Sequence, residues 1–274
     1  MAGWIEQEIN MLVTSDPNQG AINRSADGST FTVQLDEALA IPKEARNVSA
    51  TVMQSTVWWV VPNIIQGEND MFDITAPNTA DVLTNYTFPI TQGLYDLTAL
   101  NTAVQRELQN QGAKINPDPV ISFSPDNATQ RVQMTFNYPN MSVDFSQPQT
   151  PRDILGFDPL VYQNNAVAPL TFLAPNVAGF NTVNYFLIHS DLTYRGIRFN
   201  NNYNQTIAQV LIDVPPGSQI VSAPYNPAKV NCQELAGTKR TKLRFWLTDD
   251  QDRTVNTNGE YWTARIAIRF MMPL

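Results

Sequence analysis

Apolar and polar residues alternate with period two in short segments spread along this chain, and that pattern confines it to β structure with one buried face. In 131–137, Val132, Met134 and Phe136 alternate with Arg131, Gln133, Thr135 and Asn137. Phe31, Val33 and Leu35 form one face of 30–35, and Leu243, Phe245 and Leu247 one face of 242–248. Near the end, Trp262, Ala264, Ile266, Ile268 and Phe270 alternate with Thr263, Arg265, Ala267 and Arg269. Further strands are expected at 48–61, 71–75, 85–90, 120–124, 142–146, 184–192 and 206–214, about ten strands in all. Pro and Gly punctuate these runs, as in Pro215-Pro216-Gly217, which is the spacing of an all-β sandwich. One segment breaks the period: Asp96 followed by Leu97, Leu100, Val104 and Leu108, with Gly112 behind, predicts a helix over 97–111.

Two regions carry no strand pattern. The stretch 146–182, with Pro148, Pro151, Pro159, Pro169 and Pro175, reads as a long loop inserted between strand-rich parts. The head, 1–28, reads as an N-terminal arm, leaving one β domain over 29–274. In the arm, Trp4, Ile5, Ile9 and Leu12 fit helical spacing, and an exposed amphipathic arm docks on a partner subunit first and a lipid surface second, or stays a free tail. Because the period-two core begins only at Phe31, deleting 1–25 should leave the fold intact. Met1–Leu12 lacks the basic start and apolar run of a secretory signal, and no stretch has the apolar length to span a bilayer as a helix.

Charge narrows the function classes. With 17 Lys and Arg against 25 Asp and Glu, the net charge of −8 works against tracking phosphates, so no nucleic-acid partner is expected. The 27 Asn and 19 Gln outnumber the charged residues, and neutral amide surfaces can be buried between subunits without stranding charges. A single cysteine, Cys232, permits no intrachain disulfide and no thiolate metal cage. The lone histidine, His189, would have to serve any catalytic site alone, so the chain is read as no enzyme, with no cofactor and no catalytic residue.

Several residues invite a functional reading beside a plainer one. Ser190 and Asp191 follow His189, but strand neighbours face opposite ways, so a hydrogen-bonding residue at a strand end is the simpler reading. Asp249, Asp250 and Asp252, with Asn256, Asn258 and Glu260, make an oxygen-rich loop whose weak metal candidates are Asp250 and Asp252, but Val255 stands where an EF-hand needs Gly, and a turn between strands is the simpler reading. Lys239, Arg240, Lys242 and Arg244 flank Trp246 and suit carboxylates of a neighbouring subunit, or a solvated face. Trp58 and Trp59 point to opposite sides of one strand, so one enters the core while the other needs either a second internal layer or a partner. The candidate interface residues are therefore Trp4, Ile5, Ile9, Leu12, Trp58, Trp59, Arg240, Arg244 and Trp246.

Taken in order, several segments resemble the penton, or capsid vertex, proteins of the Polinton, virophage and adenovirus-like lineage of double-stranded DNA viruses. These are Phe31–Leu35 with Val48–Ile64 ending in Trp58-Trp59-Val60-Val61-Pro62, and Gly93-Leu94-Tyr95 before the expected helix. They continue with Val132–Phe136, Val143–Phe145, Leu155-Gly156-Phe157, Tyr185–Leu192 and Leu243–Asp249. The resemblance spans about 30–271 through order and spacing, and the chain lacks the Arg-Gly-Asp receptor motif of many adenovirus penton bases. It implies an all-β fold: a single jelly-roll β-sandwich with extra strands, one short helix and an extended N-terminal arm. It further implies a structural virion protein at the capsid vertex, assembled inside the host cell as a homopentamer contacting the major capsid protein, with a vertex spike or internal membrane as further partners. Two other functions fit the residues. One is a compact double jelly-roll major capsid protein, with about sixteen strands and 146–182 as bridge. The other is a receptor- or carbohydrate-binding sandwich using Trp58, Trp59, Trp246 or Trp262 as platforms.

Overall fold

The alternating segments become paired strands in a computed structural model that describes residues 3–165, 167–199 and 202–274, so the first two residues of the expected arm lie outside it. The chain divides into two compact units, one made of 1–61 with 183–274 and the other of 62–182.

The first unit contains eight principal strands: β1 (Trp4–Thr14), β2 (Thr30–Ala40), β3 (Arg46–Trp58), β4 (Tyr185–Ser190), β5 (Thr206–Leu211), β6 (Gln219–Ser222), β7 (Lys239–Thr248) and β8 (Thr263–Pro273). One sheet has the order β1-β8-β3-β6 and the other β5-β4-β7-β2, with Ala21–Ile22 added beside β2. All these pairings are antiparallel. Such interleaving, in which first pairs with last and second with next to last, is the double Greek key of a jelly roll. Its core lies between the sheets, where Trp59 meets Phe186 at 6.0 Å and Phe31 meets the edge of Trp262 at 4.9 Å.

Two irregularities explain the sequence pattern. Val52 pairs with Ile266 and Gln54 with Arg265, so Met53 is an extra residue in β3. The bulge switches the inward parity from Val48, Ala50 and Val52 to Ser55, Val57 and Trp59, turning Trp58 outward. In β2, Gln34 pairs with Lys242 but Leu39 with Arg240, so residues 35–38 loop out opposite Thr241, which is why readable alternation stops at Leu35.

The second unit is built from hairpins. Met71–Pro77 pairs with Leu83–Pro89, and Ile121–Asp126 with Arg131–Phe136. Ser142–Asp144 and Val161–Gln163 extend the first pair, and Leu170–Leu173 extends the second. Neither order is interleaved, so this unit is not a second jelly roll. Helix α1 (Leu97–Asn110) buries Leu100, Ala103, Val104 and Leu108. Asp96 caps it, its carboxylate accepting from the Ala99 amide at 2.7 Å. Phe72 gathers Phe88, Phe123 and Phe145 with ring centroids 5.9 to 6.3 Å apart.

Three expectations change. The arm is a strand: Trp4–Thr14 pairs residue for residue with β8, Trp4 and Leu12 on one face, Ile5 and Ile9 on the other, and Val13 buried. The helical spacing was a coincidence of four residues split evenly between two faces of a strand. The loop 146–182 is no separate insertion, because it carries a helical turn, Arg152–Leu155, and two strands that complete sheets begun at 71–144. The strand count, nineteen among the described residues, exceeds both alternatives because short edge strands such as Gln219–Ser222 carry no alternation of their own.

Candidate functional site

The jelly-roll unit holds the residues that the sequence singled out, some on its outer faces and edges and others, Trp59 among them, in its interior. On the outer face of β7, Trp246 stacks on His189 with centroids 5.2 Å apart and planes 5° from parallel, while the Arg244 guanidinium lies 5.4 Å from the Trp246 centroid. The register pairs His189 with Trp246, which is why a base two strands into the sheet meets this ring. His189 Nε2 lies 2.7 Å from Thr248 Oγ1 and Nδ1 lies 3.2 Å from Thr206 Oγ1. Burial pushes its pKa down to about 4, against the pull of the Asp252 carboxylate 3.8 Å away. This histidine is neutral at pH 7 and structural. Ser190 Oγ accepts from the Leu192 amide, and the Asp191 carboxylate accepts from the Arg244 amide, so neither addresses the imidazole.

The acidic loop does not converge. Asp249 holds Arg253 through Nε at 2.7 Å, Asp250 accepts from Asn184 Nδ2 at 2.6 Å, and Asp252 faces Thr248. Among the described residues no group of three His, Cys, Asp or Glu gathers, and Asp250 and Asp252 turn to different partners, Asn184 and Thr248. Cys232 is buried, and burial pushes its thiol up to about 12, which removes the thiolate needed for nucleophilic chemistry. No helix among the described residues is long and apolar enough to cross a membrane.

The basic row is partly engaged within the chain. Arg240 donates to the Asp191 carbonyl at 2.8 Å and sits 3.8 Å from its carboxylate, whereas Lys239 and Lys242 are exposed. Burial, the largest influence, raises the Asp191 pKa despite the Arg244 amide and the Arg240 and Arg244 guanidinium groups. Trp59 and Trp262 are 2% and 1% exposed and unavailable as platforms, leaving Trp58 half-buried on the outer face.

The sheet β1-β8-β3-β6 brings the remaining candidates together along one edge. β1 has β8 as its neighbour on one side, and Trp4, Ile5 and Leu12 are 40%, 49% and 74% exposed while Ile9 is half-buried. The Arg46 guanidinium lies 5.0 Å from the Trp4 centroid, and Glu8 pairs with Arg269 across β1 and β8. The sequence reading missed the opposite edge, where β6 leads into Pro224-Tyr225-Asn226-Pro227. Val221 is exposed there and Tyr225 is fully so. The signal was present, since a tyrosine bracketed by two prolines belongs to a rigid projecting turn.

Strand order and geometry define an all-β protein, a jelly roll with a second β unit inserted between β3 and β4; jelly rolls include viral capsid and lectin domains. No family model and no curated protein matches the chain. Among solved structures it is similar to a crystal structure of the mavirus penton protein, at 10% identity over 98% of this chain and 100% of that one, with a TM-score of 0.46. A structure of infectious bursal disease virus, strain Gx, aligns at 10% identity over 97% of this chain and 72% of that one, with a TM-score of 0.10.

Proposed function

We propose that this chain is a structural virion protein that forms the capsid vertex as a homopentamer and contacts the surrounding major capsid proteins. The observation that carries this reading is the strand order β1-β8-β3-β6 against β5-β4-β7-β2, the jelly roll of capsid proteins, in the chain order of the penton-like sequence segments. Its work is mechanical: strand edges and amide-rich faces fill a fivefold gap in a protein shell. The aromatic side chains support this over a carbohydrate platform, because Trp59 and Trp262 are interior and Trp246 lies against His189 and Arg244.

The test is stoichiometry in purified particles of the source virus. A vertex pentamer gives about sixty copies per icosahedral shell, five at each of twelve vertices. Hundreds of copies would reassign the chain to the shell faces, and absence from the particle would overturn the virion role.

A further inference from the structure

We infer that copies of this chain associate head to tail through opposite edges of the β1-β8-β3-β6 sheet, the β1 edge of one copy receiving the β6 edge and Tyr225 turn of the next. This inference deepens the vertex reading and rests on it for the closure of the ring.

Exposed sheet edges in stable monomers are blunted by shortness, bulges, proline or lysine. β1 is eleven residues long, contains no Pro, Lys or Arg, and runs against β8 without a register shift. It also exposes Trp4, Ile5 and Leu12. At the other side of the sheet, β6 has β3 as its neighbour, and the chain then leaves the sheet at Ser222 and rejoins β3 at Val230. Between these points the bend projects Tyr225 fully into solvent, with prolines at 224 and 227 restricting the backbone on either side of it. A rigid aromatic of this kind loses little entropy on docking and forms an interface anchor.

The two edges are complementary in charge. Residues 1–23 hold Glu6, Glu8 and Asp16, of which Glu8 pairs with Arg269 of β8, and no Lys or Arg, whereas 214–233 hold Lys229 and no Asp or Glu. Like edges therefore repel or gain nothing, and unlike edges attract. Because the complementary surfaces are different patches of one sheet, the contact is heterologous, and its repetition gives the ring that the vertex reading requires when the rotation at each step is one fifth of a turn. The occupant of the β1 edge is thus a second copy of this chain.

Two exposed substitutions, each disabling one edge, test the inference in the full chain: Leu12→Arg on β1 and Tyr225→Ser on the turn. Sedimentation velocity should show each variant alone as a monomer, with its dissociation constant raised about tenfold or more. Mixed together they should form a one-to-one dimer that grows no further, because each contributes one intact edge. Unchanged circular dichroism and melting temperature confirm that both variants fold. Assembly of either variant alone at wild-type strength overturns the edge assignment, as does a mixture that stays monomeric. A wild-type chain that is monomeric up to the highest attainable concentration overturns the vertex reading together with this inference.

Discussion

At the scale of single residues, His189 links pH to stability. Its pKa in the folded chain, about 4, lies below its ordinary value near 6.5, so the unfolded chain binds the proton first. Stability is therefore full above about pH 6.5 and falls as pH drops toward 4, by roughly 2–3 kcal/mol at the lower limit. Asp191, whose pKa burial raises, gains stability from protonation as pH falls and so works against the histidine's loss. Urea titrations from pH 7 to 4 should show the decline, and His189→Gln should flatten it; an equal slope in both proteins would contradict this role. The two neighbouring tryptophans make a second contrast. Trp59→Ala empties a core position beside Phe186 and should cost about 3–5 kcal/mol, whereas Trp58→Ala should cost about 1 kcal/mol because that ring is half in solvent. Equal denaturation midpoints for the two variants would contradict the parity switch at Met53. That these two rings lie on opposite sides of one strand was legible in the sequence; which one enters the core was not, because a single bulged residue decides it.

At the scale of elements, local signals succeeded where they were written in capping and alternation. Asp96, the apolar stripe and Gly112 marked α1, and the helix ends within a residue of its expected limits. Asp96→Ala should lower stability by about 1 kcal/mol through the lost Ala99 bond, measured by thermal denaturation. The Leu155-Gly156-Phe157 turn sets a stricter condition. Gly156 has φ 79° and the position of an added Cβ lies 2.4 Å from the Asn176 carbonyl oxygen, which is backbone and yields little. Gly156→Ala should accordingly cost more than about 1 kcal/mol, and a neutral variant would contradict the tight approach. Elements without their own alternation stayed hidden. β6 is four residues long, and β1 is visible as a strand only once β8 supplies its register. The same partnership makes β1 indispensable: Ser15 is buried, its amide donates to the Trp262 carbonyl, and its hydroxyl accepts from the Trp262 amide. Deleting 1–25 should therefore unfold or strongly destabilise the jelly roll rather than spare it.

At the scale of the whole molecule, the jelly roll follows from pairings between residues far apart in sequence, and such pairings leave little local trace. Trp4 meets Pro273 and Thr30 meets Trp246, so strand existence could be read from the chain while strand order could not. The inserted unit also carries a distinct charge: residues 62–182 contain eleven Asp and Glu but four Lys and Arg, concentrating most of the net negative charge there. The jelly-roll unit is left close to neutral as a whole, so copies of it approach one another with little net repulsion. Composition had suggested a surface built for burial, and the structure locates exposed apolar groups on the two edges of one sheet. The most direct measurement is the native mass of the purified full-length chain. The account predicts a closed assembly of five chain masses, and a trimer or a concentration-independent monomer would contradict it.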